Sequence, residues 1–238
     1  EIPYLRSAAV GVFIKVGSRY EEPDIAGASH FVEHMLFKGT ASRSAREIAE
    51  HFENIGGQLN AFTAKEYTCV YGRTLDEDIE NGMDIIFDML FNSLINEKDF
   101  ATEKEVIKEE IRMYEDTPDE LIHDVFNQKY YEGDRMGHPI LGTMQTIDNL
   151  ERDQLYNYYK RHYCPANMII AVAGNINKSR IIDKVKSSMP PNSAIPDHKL
   201  TVPQPRYPFI NLLAKDVEQV QICLGMPGIS YKDERRYT

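Results

Sequence analysis

The sequence predicts an α+β domain, a largely antiparallel sheet packed with several helices, and three observations carry that expectation. Strand-like and helix-like segments follow in the order β-α-α-β-β-α-α-α-α-β-α, which lacks the regular βαβ alternation of a parallel sheet. The strand-like segments are rich in β-branched and aromatic residues and are bounded by glycine or proline. A hydrophobic content of 42 % over 238 residues is enough to bury a core, in one large domain or two small ones.

The first element is SAAVGVFIKV, residues 7–16, a buried strand that ends at Gly17 and leads into a loop through Pro23 and Gly27. From Ser29 to Phe37, SHFVEHMLF has no glycine or proline, opens on an N-cap residue and stops before Gly39, so a short helix is expected. A second helix spans Ser44 to Asn54 and ends at Gly56-Gly57. QLNAFTA and EYTCVYGRT then read as paired strands around Lys65. Helices are expected at 77–95, 97–116 and 118–131, the last opened by Thr117-Pro118. A helix over 148–162, the strand NMIIAVAG and a helix from Ser179 to Met189 complete the series.

Six prolines, at 190, 191, 196, 203, 205 and 208, then fall among few apolar residues, the composition of an extended linker. The expected organisation is a first domain over 1–189, a Pro-rich linker over 190–213, and the beginning of a second domain over 214–238, where VEQVQICLGMPGI is one further strand-like run. A net charge of −10 argues against nucleic-acid or anionic-membrane partners, which need clustered Lys and Arg, and favours a basic or neutral peptide. No apolar run approaches the roughly 20 residues of a membrane span. Cys69, Cys164 and Cys223 are odd in number and lack a C-x-x-C pattern, so neither a disulfide framework nor a thiolate metal site is expected, and a reducing compartment fits.

The chemistry concentrates in HFVEH. On a helix, His30 and His34 at i and i+4 share a face, so two imidazoles can converge on one ion, with Glu33 beside them. Neutral imidazoles suit zinc, and a catalytic zinc needs a third protein ligand and an open fourth position. H-x-x-E-H reverses H-E-x-x-H and is the inverzincin pattern. The bland alternative is two ordinary helix histidines in a polar cluster. A third ligand shifts that balance, and the 97–116 helix offers two: Phe100, Ile107, Ile111 and Tyr114 mark its apolar stripe, with Glu103 and Glu110 on or beside it. Carboxylates seldom occupy a core-facing stripe unless paired or metal-bound. Glu109 points about 160° away, at 100° per residue, and is expected in solvent.

Spacing leaves Glu103 and Glu110 both open as the third ligand. HFVEH with a distal glutamate in EKEVIKEE resembles the pitrilysin-type metallopeptidases, which include mitochondrial processing peptidase and insulin-degrading enzyme. GSRYEEPDIAGASHFVEHMLFKGT, GGQLNAFTAKEYTCVY, HPILGT and HYCPANMIIAVAGN resemble family segments in family order, over nearly the whole chain. The resemblance implies that His30, His34 and Glu110 hold one zinc ion per chain, that Glu33 is the general base, and that Glu103 supports the site from behind. It also implies an edge strand at Leu59, Asn60, Ala61 and Phe62 to which an extended peptide adds, against the plain reading of a hairpin strand. Glu120 and Asp124 occupy positions that favour a basic substrate residue in processing-peptidase relatives, although acids in a first helical turn also complement the helix dipole.

The expected activity is zinc-dependent endopeptidase cleavage of short or unfolded peptides; the alternative is a catalytically silent peptide-binding or scaffold subunit. Family chains continue through a second homologous domain and assemble as homodimers or heterodimers, so such partners are implied. The bacterial cytoplasm is the first compartment expected and the mitochondrial matrix the second. His51, His123, His138, His162 and His198 are read as structural or surface groups.

Overall fold

Alternation along β1 (Ser7–Ile14) places Ala8, Val10, Val12 and Ile14 on one buried face, and this strand is the centre of the molecule. The computed structural model describes residues 1–191, 196, 200, 202–230 and 232–237. β1 pairs antiparallel with β3 (Thr68–Leu75), Val12 opposite Val70, and on its other side with β4 (Met168–Gly174), Val10 opposite Val172. β2 (Gln58–Thr63) pairs with β3, Ala61 opposite Val70, which gives the order β2-β3-β1-β4. The sheet is antiparallel throughout and the fold is mixed α and β, as the element order predicts.

Eight α-helices occur among the described residues. α1 (Ala28–Leu36) packs against β2, α4 and α7, while α2 (Ala45–Asn54) and α3 (Ile79–Asn92) cover the sheet around Phe52 and Ile86. Close approach there depends on Gly72, where a Cβ would meet the Phe52 ring at 2.6 Å. α4 (Glu97–Glu115), α5 (Pro118–Tyr130), α6 (Met144–Asn149), α7 (Arg152–His162) and α8 (Lys178–Ser188) complete the set. Phe31 of α1 stacks on Phe100 of α4 with ring centroids 4.7 Å apart, which fixes the two helices that carry the motif residues. No helix among the described residues is long and apolar enough to cross a membrane.

The structure corrects three boundaries and one expected strand. Ser29 is not the N-cap of α1: Gly27 holds that position in the left-handed region (φ 99°), and Ser29 lies inside the helix with its hydroxyl 2.8 Å from Tyr158 Oη. The 77–95 span opens as a 3-10 turn over Asp76–Asp78, and its helix ends at Asn92. The expected 148–162 helix is two helices, because Leu150 is extended and Glu151 starts α7 with a reciprocal Glu151–Gln154 capping box. VEQVQICLGMPGI forms no strand, having no partner among the described residues, and Val220, Ile222 and Leu224 are exposed. Within the Pro-rich stretch, 192–195, 197–199 and 201 lie outside the described residues, as does His198.

Candidate metal centre

α1 brings His30 and His34 onto the side facing α4, where Glu110 meets them. Glu110 Oε2 lies 3.7 Å from His30 Nε2 and 3.6 Å from His34 Nε2, and the two imidazole rings are 4.6 Å apart. Their potential ligand atoms all fall within 4.8 Å of one another. These separations are too long for hydrogen bonds. Nor are they ion pairs with a charged His30, since burial, with His34 as a smaller cause, pushes that imidazole down to about 3. Two imidazole nitrogens and a carboxylate oxygen thus converge on a shared space without hydrogen-bonding one another.

The donor set fits zinc. Imidazole nitrogens and carboxylate oxygens are among its usual ligands, and donors about 2.0–2.2 Å from a tetrahedral ion stand roughly 3.4 Å apart, close to the two distances from Glu110 to the imidazoles. His30 is neutral, the state a ligand requires. Glu110 is half-exposed, which leaves an approach for a fourth ligand.

The other residues singled out by the sequence fall around this centre. Glu103 is buried at 5 % exposure; its Oε2 lies 3.0 Å from His34 Nδ1 and its Oε1 is 2.7 Å from Lys38 Nζ. Glu109 is exposed and pairs with Arg112, as its angle on the helix predicts. Glu33 follows three residues after His30 and accepts a hydrogen bond at Oε2 from Thr63 Oγ1, 2.6 Å away. Burial raises the Glu33 carboxyl above its ordinary range, a rise that the Thr63 bond and His34 partly offset.

β2 is an edge strand of the sheet. Leu59 and Ala61 pack toward the core on the helix side, while Asn60 and Phe62 point to the opposite, open face. Phe62 sits there against the Tyr67 and Tyr71 rings, and Asn60 Oδ1 accepts from the Ala61 amide at 2.8 Å. Glu120 and Asp124 do not join the three-residue cluster; they flank Tyr114, whose hydroxyl is pushed up first by burial and then by these two acids. Asp124 is itself raised by burial, with Lys65 pulling the other way.

Three residues that sequence reasoning assigned no role belong to this neighbourhood: Thr63, Lys38 and Glu21. Glu21 is fully buried and accepts from the Gly27 and Ser29 amides, both at 2.7 Å, so it caps the N-terminus of α1 from outside. Lys38 carried a readable signal, since it stands four residues beyond His34 on the same helical face. Thr63 reaches Glu33 only through tertiary packing, and Glu21 reaches Gly27 and Ser29 through the turn of the loop that precedes α1.

The sequence pattern of the family described as Insulinase (Peptidase family M16) matches residues 1–144, and that of the Peptidase M16 inactive domain matches 149–238. An uncharacterized zinc protease of Bacillus subtilis is 45 % identical over 99 % of this chain and 57 % of its own length. One of Streptomyces coelicolor is 39 % identical over 99 % of this chain and 53 % of its own. The chain therefore spans about half the length of these curated relatives. Among solved structures, a Helicobacter pylori protease superposes with a TM-score of 0.78 at 24 % identity, over 82 % of this chain and 49 % of that one. Pitrilysin superposes with a TM-score of 0.73 at 20 % identity, over 84 % of this chain and 22 % of its own, a likeness of fold.

Proposed function

Because this chain belongs to the insulinase family, Peptidase family M16, we propose that His30, His34 and Glu110 hold one zinc ion and that the protein is an endopeptidase cutting short or unfolded peptides. The observation that carries the proposal is the convergence of two imidazole nitrogens and a carboxylate oxygen on one space, beside a second carboxyl, Glu33, that stands outside that set. Zinc, when bound, would supply the Lewis acid that polarises the scissile carbonyl and makes water easier to deprotonate.

Glu33 is the general base. Thr63 holds its Oε2, so Oε1 is the free oxygen that takes a proton from the attacking water and passes it to the leaving amine. Its raised affinity for protons suits a group that must carry one between two steps. Glu103 accepts from His34 Nδ1–H and so keeps Nε2 turned toward the ion. The open edge of β2, residues Leu59 to Phe62, offers backbone donors and acceptors to an extended peptide whatever its side chains. Glu120 and Asp124 would favour a basic substrate residue, in line with the processing-peptidase resemblance. The further partners are the remaining half-length of the relatives and a second subunit, identical or different.

The rival reading, a subunit that binds peptides without cutting them, draws on the inactive-domain description that matches residues 149–238. None of the proposed ligands, nor Glu33, lies in that stretch. Glu33→Gln separates the two readings, tested by metal content and by cleavage of a mixed peptide pool in a chain of the relatives' length. The amide keeps the shape of the side chain and loses its basicity, so zinc should stay while hydrolysis disappears. Loss of zinc, or turnover near that of the parent, would show that Glu33 has been given the wrong role.

A further inference from the structure

We propose that Lys38 is a positioning residue of the metal centre: its ammonium anchors Glu103, so that Glu103 in turn orients the His34 imidazole. The inference rests on the zinc reading of the His30, His34 and Glu110 cluster and extends it to a residue outside that set.

The geometry begins at the end of α1. Phe37 N–H donates to His34 O at 3.2 Å and Lys38 N–H to Met35 O at 3.1 Å, so the chain is still turning as a helix when it reaches Lys38. Lys38 therefore stands one turn beyond His34 on the line already occupied by His30. Gly39 then leaves the helix with φ 118°, and Thr40 ties the following loop to Asp88 through a 2.7 Å hydrogen bond. The backbone that carries Lys38 is thus held from both sides.

Glu103 reaches the same point from α4. A carboxylate this deeply buried needs partners for both oxygens, and it has two different ones: Lys38 Nζ on Oε1 and His34 Nδ1 on Oε2. The division matters because an imidazole that donates from Nδ1 presents the lone pair of Nε2, the atom that faces Glu110. Charge balance points the same way. Glu33, Glu103 and Glu110 surround two imidazoles, and among the described residues the lysine or arginine ion-paired with these carboxylates is Lys38. Without it Glu103 would be a buried carboxylate beside two others, free to turn from His34 toward water. Lys38 itself is about one-third accessible on its side chain and is no member of the buried apolar cluster.

The test uses Lys38→Met, Lys38→Gln and Lys38→Arg. Zinc affinity is measured by competition with a chromophoric chelator, the visible spectrum of the cobalt-loaded protein reads ligand geometry, and the ring-nitrogen NMR signals of His34 in the metal-free protein read its tautomer. Lys38→Met should weaken zinc by about 10- to 100-fold, the range for residues that act through a ligand. It should also shift the cobalt bands and mix the His34 tautomers. Lys38→Arg should restore all three, which a general loss of packing would not allow. Lys38→Gln, with a donor but no charge, should fall between, and it carries the comparison if the methionine variant does not fold. Parent-like affinity and an unchanged tautomer in Lys38→Met and Lys38→Gln would overturn the proposal. A parent protein that takes up no zinc would overturn the metal reading instead, and the metal-free tautomer would still decide whether Lys38 orients His34.

Discussion

The two motif histidines have the same chemistry and different supports. His30 is buried with its Nδ1 unpartnered, whereas His34 is held through Nδ1 by Glu103. Of the carboxylates on α4, Glu110 faces both rings and Glu109 faces solvent beside Arg112. Glu110→Gln is therefore expected to weaken zinc far more than Glu109→Gln, with Glu103→Gln between them at about 10- to 100-fold, in chelator competition. Equal retention by the Glu110 and Glu109 variants would mean that α4 contributes no ligand. Thr63→Val removes the hydroxyl that steadies Glu33 Oε2, so turnover should fall while zinc content holds. A fall in both would place Thr63 in metal retention. The acids on α4 were legible because a carboxylate on an apolar stripe with Phe100, Ile107 and Ile111 conflicts with ordinary burial. Thr63 was not, because its contact with Glu33 crosses from strand to helix and leaves no periodic trace. Nor could spacing choose between Glu103 and Glu110: they lie two turns apart, and only the position of α1 decides which one meets both Nε2 atoms.

At the scale of elements, α1 depends on a residue outside itself. Its N-terminus has no side-chain cap of its own, and Glu21 supplies the acceptors for Gly27 and Ser29 from a fully buried position. Burial pushes the Glu21 carboxyl up to about 7, against the pull of those two amides and of Lys65, while Tyr158 and Tyr163 close the site from α7 and the turn after it. Since an unfolded chain would ionise this group near 4.5, the native state holds the proton more tightly between 4.5 and about 7. The stability it contributes is complete below pH 4.5 and is lost as pH rises to about 7. The advantage of the parent over Glu21→Gln in denaturant melts, with chelator present, should shrink across that window and then level off. A difference that is flat from pH 4 to 8 would show that the carboxyl is not desolvated. The four strands of the sheet and most helices follow from periodicity, but the same pattern predicts a strand over VEQVQICLGMPGI that does not form, and Ser29, a favourable N-cap in isolation, yields that position to Gly27 through tertiary packing. The break between α6 and α7 carried a local signal in Glu151 and Gln154, the reciprocal pair that starts α7.

For the whole molecule, the question is what this length of chain can do by itself. The buried cluster runs from Ala8 to Ile181 and includes the residues that set α1 against α4, so zinc affinity should need nothing further. Catalysis asks for more. Charge develops on the carbonyl oxygen of the substrate, and the largest catalytic term comes from dipoles already oriented toward it in a water-poor site. Glu110 is 43 % exposed on its side chain, and β2 is an edge strand that pairs with β3 alone among the described residues. The chain spans 57 % of the Bacillus relative's length, and apolar residues such as Ile210 and Leu212 are more than nine-tenths exposed in the portion matching the inactive domain. Such surface is expected to be covered when the relatives' full length is present. The 238 residues should therefore bind zinc stoichiometrically and turn over peptides slowly or not at all, with activity restored when the remaining length is supplied in the same chain or added separately. The measurement is peptide turnover per bound zinc for the two lengths. Equal turnover would show that one wall of the cleft suffices, and the oxyanion would then have to be stabilised by groups already present among these residues.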